Sequence, residues 1–130
     1  MKFNKGFLKI AICTALLTGC ISHTAPIHNV NEAVIASHSS MQVKQAILMA
    51  GAKRGWQMST PQDGIVMATL TPRGHIANVK ITYSSTEYKI EYVSSSNLDE
   101  NKGKIHKNYN RWVNNLDQDI KAQLSVANMQ

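Results

Sequence analysis

The sequence predicts an α+β fold: a two-layer sandwich in the order α-β-β-β-β-α, with an antiparallel meander sheet and both helices on one of its faces. Three observations carry this. Apolar residues recur at helical spacing over residues 43–50 and again over 105–124. Between them lie four short segments punctuated by Pro-, Gly- and Ser-containing turns, two of which alternate apolar and polar residues with period two. A sheet that is apolar on one face, flanked in sequence by amphipathic helices, buries that face by taking the helices as its second layer.

The first helix begins at a capping box. Ser39 is followed three residues later by Gln42, the pair that lets a hydroxyl and an amide each satisfy a free backbone N–H. Val43, Ala46, Ile47 and Ala50 then form one face. Lys53 and Arg54 suit the negative helix end, and Gly55 supplies a stop, so the helix covers roughly 40–54. Residues 56–60 form a short strand, and Pro61-Gln62-Asp63-Gly64 is a turn in which proline presets φ and glycine provides a positive φ. Residues 65–71 form the second strand, and Pro72-Arg73-Gly74 the next turn.

The third strand, 75–84, places His75, Ala77, Val79, Ile81 and Tyr83 on one side and Ile76, Asn78, Lys80 and Thr82 on the other. The fourth, 87–93, turns Tyr88, Ile90 and Tyr92 inward and Lys89 and Glu91 outward. Connections this short make hairpins. Residues 94–104 read as a polar loop. The last helix covers roughly 104–125: Ile105, Tyr109, Trp112, Val113, Leu116, Ile120 and Leu124 fill one stripe, opposite Lys107, Asn110, Arg111, Asn114, Gln118 and Lys121. Trp56, Tyr83, Tyr88, Tyr92, Tyr109 and Trp112 fall mostly on inward positions and read as core.

The domain does not begin at Met1. Lys2, Lys5 and Lys9 precede an apolar run from Ile10 to Leu17, far shorter than the roughly 20 residues a membrane-spanning helix needs. That is the layout of a signal peptide over residues 1–19. It ends in Leu17-Thr18-Gly19-Cys20, which resembles the bacterial lipobox. The resemblance implies cleavage before Cys20, a diacylglycerol thioether on its sulfur and anchoring in a membrane. Two acyl chains meet the physical requirement for stable anchoring, each buried methylene contributing about 0.8 kcal/mol. Ile21 rather than an acidic residue follows the cysteine, which implies sorting to the outer membrane with the domain facing the periplasm. Residues 20–39 hold few charges and several small polar residues and read as a tether, with Ile27, Val30, Val34 and Ile35 able to dock part of it on the domain. The domain proper is 40–125 and the tail 126–130.

Removing the leader takes three lysines and no acidic residue. Eleven basic residues then face eight acidic ones, a net charge of +3 in place of +6. Nucleic acid is a poor fit to so sparse a set of cations as Lys107, Arg111 and Lys121. Cys13 leaves with the leader, so Cys20 has no partner for an internal disulfide.

A longer pattern runs through the domain: Arg54-Gly55-Trp56, residues 64–70, Arg73-Gly74-His75, Ile81-Thr82-Tyr83, residues 88–92, Ser96-Asn97-Leu98 and residues 105–112. It resembles a family of small proteobacterial lipoproteins of unknown function, over about residues 40–125. That resemblance implies an outer-membrane or periplasmic setting and carries no activity with it.

The sequence holds no nucleophile elbow, phosphate-binding glycine loop, paired-cysteine metal site or metalloprotease helix. With Cys20 spent on lipid, cysteine catalysis has no nucleophile. His23, His28 and His38 have no spacing that defines a metal site, and none is expected, nor any cofactor. The expected binding residues are Arg73 and His75 in one turn, Asn97 in the long loop, and His106 at the start of the last helix: hydrogen-bonding groups at the ends of regular elements. The functional expectation is a non-catalytic, membrane-anchored envelope lipoprotein that binds a protein, glycan or lipid partner. The alternative is an inhibitor or immunity protein directed against an envelope toxin or hydrolase.

Overall fold

The computed structural model describes residues 22–129, so the signal peptide and Cys20 lie outside the described residues. In chain order the elements are β1 (Thr24–Pro26), β2 (Val30–Ala33), α1 (Ser40–Lys53), β3 (Gln57–Gln62), β4 (Ile65–Leu70), β5 (Ile76–Tyr83), β6 (Glu87–Ser96), β7 (Lys104–His106) and α2 (Lys107–Ala127).

The predicted capping box starts α1. Ser39 Oγ accepts from Gln42 N at 3.1 Å, and Ser39 N donates to Gln42 Oε1 at 2.8 Å. The helix ends on Gly55, whose φ of +84° lets the chain reverse. Gly55 N then bonds Ala52 O, and Trp56 N bonds Gly51 O, the paired bonds of a Schellman end. Val43, Ala46, Ile47 and Ala50 are buried, as the helical spacing requires.

Strands β3 to β6 form the predicted meander, antiparallel throughout. Across it Val66, Ile81 and Ile90 stand in register, and Ala68 pairs with Val79. These residues join the buried faces of α1 and α2 in one core, so both helices cover the same side. The other face is mostly polar, with Met67 and Ile76 standing among its polar residues. There Thr69 Oγ1 donates to Asn78 Oδ1 at 2.7 Å, and Asn78 Nδ2 donates to Ser94 Oγ at 2.9 Å. Lys80 and Glu91 sit directly opposite one another on the same face.

The sheet has five strands where the sequence predicted four. The fifth is β2, from the segment expected to be a tether: Val30 pairs with Ile90 and is buried. Farther upstream β1 pairs with β7, Thr24 opposite His106 and Pro26 opposite Lys104. The strip from residue 24 onwards is therefore largely built into the domain. Its apolar positions supply the reason, since Val30, Ile27 and Val34 all pack on the core.

Other boundaries move as well: β3 runs on through Pro61 to Gln62. The fourth predicted strand runs on to Ser96 because a bulge at Val93 shifts the alternation by one residue: Val79 pairs with Tyr92, but Asn78 with Ser94. The last helix starts at Lys107, not 104, because Lys104–His106 is held extended by β1. At its far end α2 runs to Ala127, taking in residues expected in the tail.

Candidate functional site: a polar pole beside the second helix

One end of the sheet gathers the β4–β5 turn, the loop after β6, the β1–β7 pair and the first turn of α2. The β4–β5 turn is closed by His75 N donating to Pro72 O at 2.9 Å. Both central residues have positive φ, 48° at Arg73 and 79° at Gly74, as a type I′ turn demands. Arg73 accepts a conformation that glycine or asparagine adopts more cheaply, and its guanidinium is exposed at the tip.

His75 turns its Nδ1 towards the main chain of the neighbouring loop, 2.6 Å from Asn97 O. A carbonyl only accepts, so Nδ1 carries the proton, and in the neutral ring Nε2 is left as an acceptor. The loop from Asn97 to Gly103 is tightly folded. Asn97, Asp99, Lys102 and Gly103 all have positive φ, and Leu98 anchors it in the core at 2% exposure. Asn101 and Lys104 exchange backbone bonds around Lys102-Gly103, a second two-residue hairpin. Leu98 O accepts from His106 N at 2.8 Å, joining loop to helix.

His106 is the N-cap of α2. Its Nδ1 accepts from Asn108 N at 3.1 Å. That nitrogen is therefore unprotonated, and the neutral ring carries its proton on Nε2. The two imidazoles thus have opposite tautomers, an acceptor Nε2 on His75 and a donor Nε2 on His106. Around them stand Trp112, its ring centre 6.3 Å from that of His75, and His23, 5.5 Å from His106. His23 Nε2 donates to Asp99 Oδ2 at 3.0 Å.

The four residues expected from sequence therefore do share one end of the molecule. His75 touches Asn97, and His106 is bonded to the residue after it. Asn97 takes part through its main-chain carbonyl. Arg73 shares the turn with His75, and among the described residues its side chain makes no hydrogen bond or ion pair. Sequence reasoning missed His23 and Asp99, because only the β1–β7 pairing brings residue 23 to this end; nothing local in the sequence signals that contact. Trp112, expected in the helix core stripe, lies at its margin and is half-buried.

A second polar cluster is structural. Asp117, 4% exposed, accepts from Tyr88 Oη at 2.6 Å and lies 3.2 Å from Lys121 Nζ, which also reaches Glu32 at 2.9 Å. Burial, and then the bond to Asp117, hold the Tyr88 hydroxyl far above its ordinary pKa. The bond to Glu32 is the main cause that raises Lys121. These contacts bind α2 to β6 and β2. Beside them runs a groove of about 350 Å³ lined by Ala33, Ile35, Leu124 and Ser125. At the opposite margin of the helix layer Arg54 Nε donates to Asp119 at 2.6 Å, holding that carboxyl below its usual range.

Comparison with protein-family models, curated proteins and solved structures finds no match to this chain.

Proposed function

We propose that this chain is a lipid-anchored protein of the bacterial envelope, held to the outer membrane through Cys20, with a non-catalytic domain that binds through its polar pole. The observation that carries the reading is Leu17-Thr18-Gly19-Cys20 directly behind a basic start and a short apolar run. The small proteobacterial lipoproteins, which the lipobox and the pattern over about residues 40–125 resemble, are its proposed family. The chemistry of the pole supports a binding role. Each imidazole is fixed by one nitrogen, His75 Nδ1 on Asn97 O and His106 Nδ1 capping α2, and keeps its Nε2 as a hydrogen-bonding group. What remains outward is a set of directional donors and acceptors with an exposed guanidinium, mounted on two tight turns and a helix end.

The test is in cells. Cys20→Ser should leave an uncleaved precursor or shift the protein out of the outer-membrane fraction. Crosslinking the wild type from intact cells should recover partners that Arg73→Ala loses. Wild-type sorting of Cys20→Ser would refute the anchor. Recovery of a toxin or hydrolase through a different surface would replace the binding reading with that of an inhibitor.

A further inference from the structure

We infer that the partner of the polar pole is the membrane's own headgroup layer, engaged through anionic phospholipid phosphates; the inference rests on lipidation at Cys20. Two independent features point there: the length of chain between lipid and fold, and the placement of charge.

The connector is short. Thr24 is already paired with His106, and Lys107 N donates to His23 O at 2.9 Å. From Cys20 to Thr24 there are four residue steps, which span at most about 14 Å even when fully extended. The headgroup layer takes up roughly 6 Å of that, the difference between the hydrocarbon core and the full bilayer on one side. The pole is thereby confined to within about one Debye length, ~8 Å, of the membrane surface. A free tether of about 20 residues would have let the domain wander some 25 Å away. The Ser84–Thr86 turn caps the other end of the sheet, a strand length of about 26 Å beyond.

The charge is on the same side. Arg73, Lys102, Lys104 and Lys107 belong to the pole, and Arg111 follows in the next turn of α2, against Asp99 and Glu100. The remainder of the mature chain carries six basic and six acidic residues, so the net charge of +3 belongs to the pole and the helix turn that adjoins it. All five cations are exposed, and among the described residues none is in an ion pair. Lys102 is thrust outward at the tip of its hairpin turn, at a φ of 50°. Asp99, one of the two acids, is already held by His23. The first turn of α2 adds the positive end of its dipole to the same surface. An anionic membrane attracts each such lysine by about 1 kcal/mol, a factor of roughly five in local association. The domain therefore stands on this pole, with the Ser84–Thr86 turn and the groove beside Ile35 directed away from the bilayer.

The experiment uses the mature lipidated protein in vesicles. The thioether leaves no free thiol on Cys20, so a single engineered cysteine carries a fluorophore: Asn101→Cys at the pole, or Ser85→Cys at the far end. Vesicles of phosphatidylethanolamine and phosphatidylglycerol contain a nitroxide on the headgroup. Quenching should be several-fold stronger at residue 101 than at 85. Exchanging phosphatidylglycerol for phosphatidylcholine, or introducing Lys102→Gln with Lys107→Gln, should narrow that difference. Equal quenching at the two sites, stronger quenching at 85, or a difference insensitive to lipid charge would overturn the inference. Mass spectrometry of the same samples separates the two claims. A missing acyl mass defeats the lipoprotein reading; an acyl mass without the asymmetry defeats only this one.

Discussion

Tyr88→Phe removes one oxygen from the best-defined polar contact in the core. Tyr88 is 1% exposed and Asp117 4%, and the hydroxyl donates to the carboxylate at 2.6 Å. A hydrogen bond to a charged group contributes about 1.5–3 kcal/mol. Asp117 keeps Lys121 at 3.2 Å, so its charge is not left without a partner. The cost therefore belongs in the lower half of that range, about 2 kcal/mol. A domain of this size has a total stability on the order of 5–15 kcal/mol. The variant should thus lower the melting temperature by roughly 10 °C. Urea unfolding followed by far-ultraviolet circular dichroism gives the free energy, with an unchanged denaturant slope as the sign that both states keep their compactness. Tyr109→Phe is the internal control. The Tyr109 hydroxyl is buried without a protein partner among the described residues, so its removal should cost clearly less. A Tyr88→Phe variant as stable as the wild type, or a larger loss at Tyr109 than at Tyr88, would refute the assigned role of the Tyr88–Asp117 bond.

The same tyrosines set the alkaline limit. Burial raises both hydroxyls above the ordinary tyrosine value, so the folded state holds protons that the unfolded chain gives up. Their contribution is complete below about pH 10 and declines above it, by up to ~1.4 kcal/mol per pH unit per tyrosine; Tyr88→Phe should flatten that decline in melts from pH 9 to 12. Trp112→Ala should cost about 2 kcal/mol, short of the 3–5 of a fully buried aromatic truncation, because this ring is half-buried at the core margin; an unchanged melting temperature would mean that it does not pack there. Arg73→Ala should leave stability unchanged within ~0.5 kcal/mol, whereas His106→Ala should lose about 1 kcal/mol as an N-cap. Equal losses in paired melts would show Arg73 to be a structural tie.

What was legible in the sequence is what depends on local chemistry. Ser39 and Gln42 announce a capping box that needs nothing beyond four residues, and Gly55 and Gly74 mark chain reversals that only a positive φ permits. Ala77, Val79, Ile81 and Tyr83 alternate because one face of β5 is dry. Two kinds of information were hidden. The bulge at Val93 breaks the period of two, so the polar residues 94–96 looked like loop although they continue β6. The strands of the N-terminal strip are short and gain their order from partners far along the chain, β2 from β6 and β1 from β7. Ile105 shows the cost of reading period alone. It fits the helical stripe of α2, yet it reaches the core from a strand. The candidate site was legible in the same measure. Their polar groups at the ends of strands and of the last helix singled out Arg73, His75, Asn97 and His106, while the contribution of His23 depends wholly on a long-range pairing.

The central claim is that the mature chain starts at a lipid-bearing Cys20, and intact mass is its most direct measurement. The protein extracted from membranes with detergent should weigh the chain from Cys20 onwards plus a diacylglycerol group, with or without an additional amide-linked acyl chain. A chain that begins elsewhere, or one that carries a free thiol at Cys20 and no acyl mass, would contradict the account.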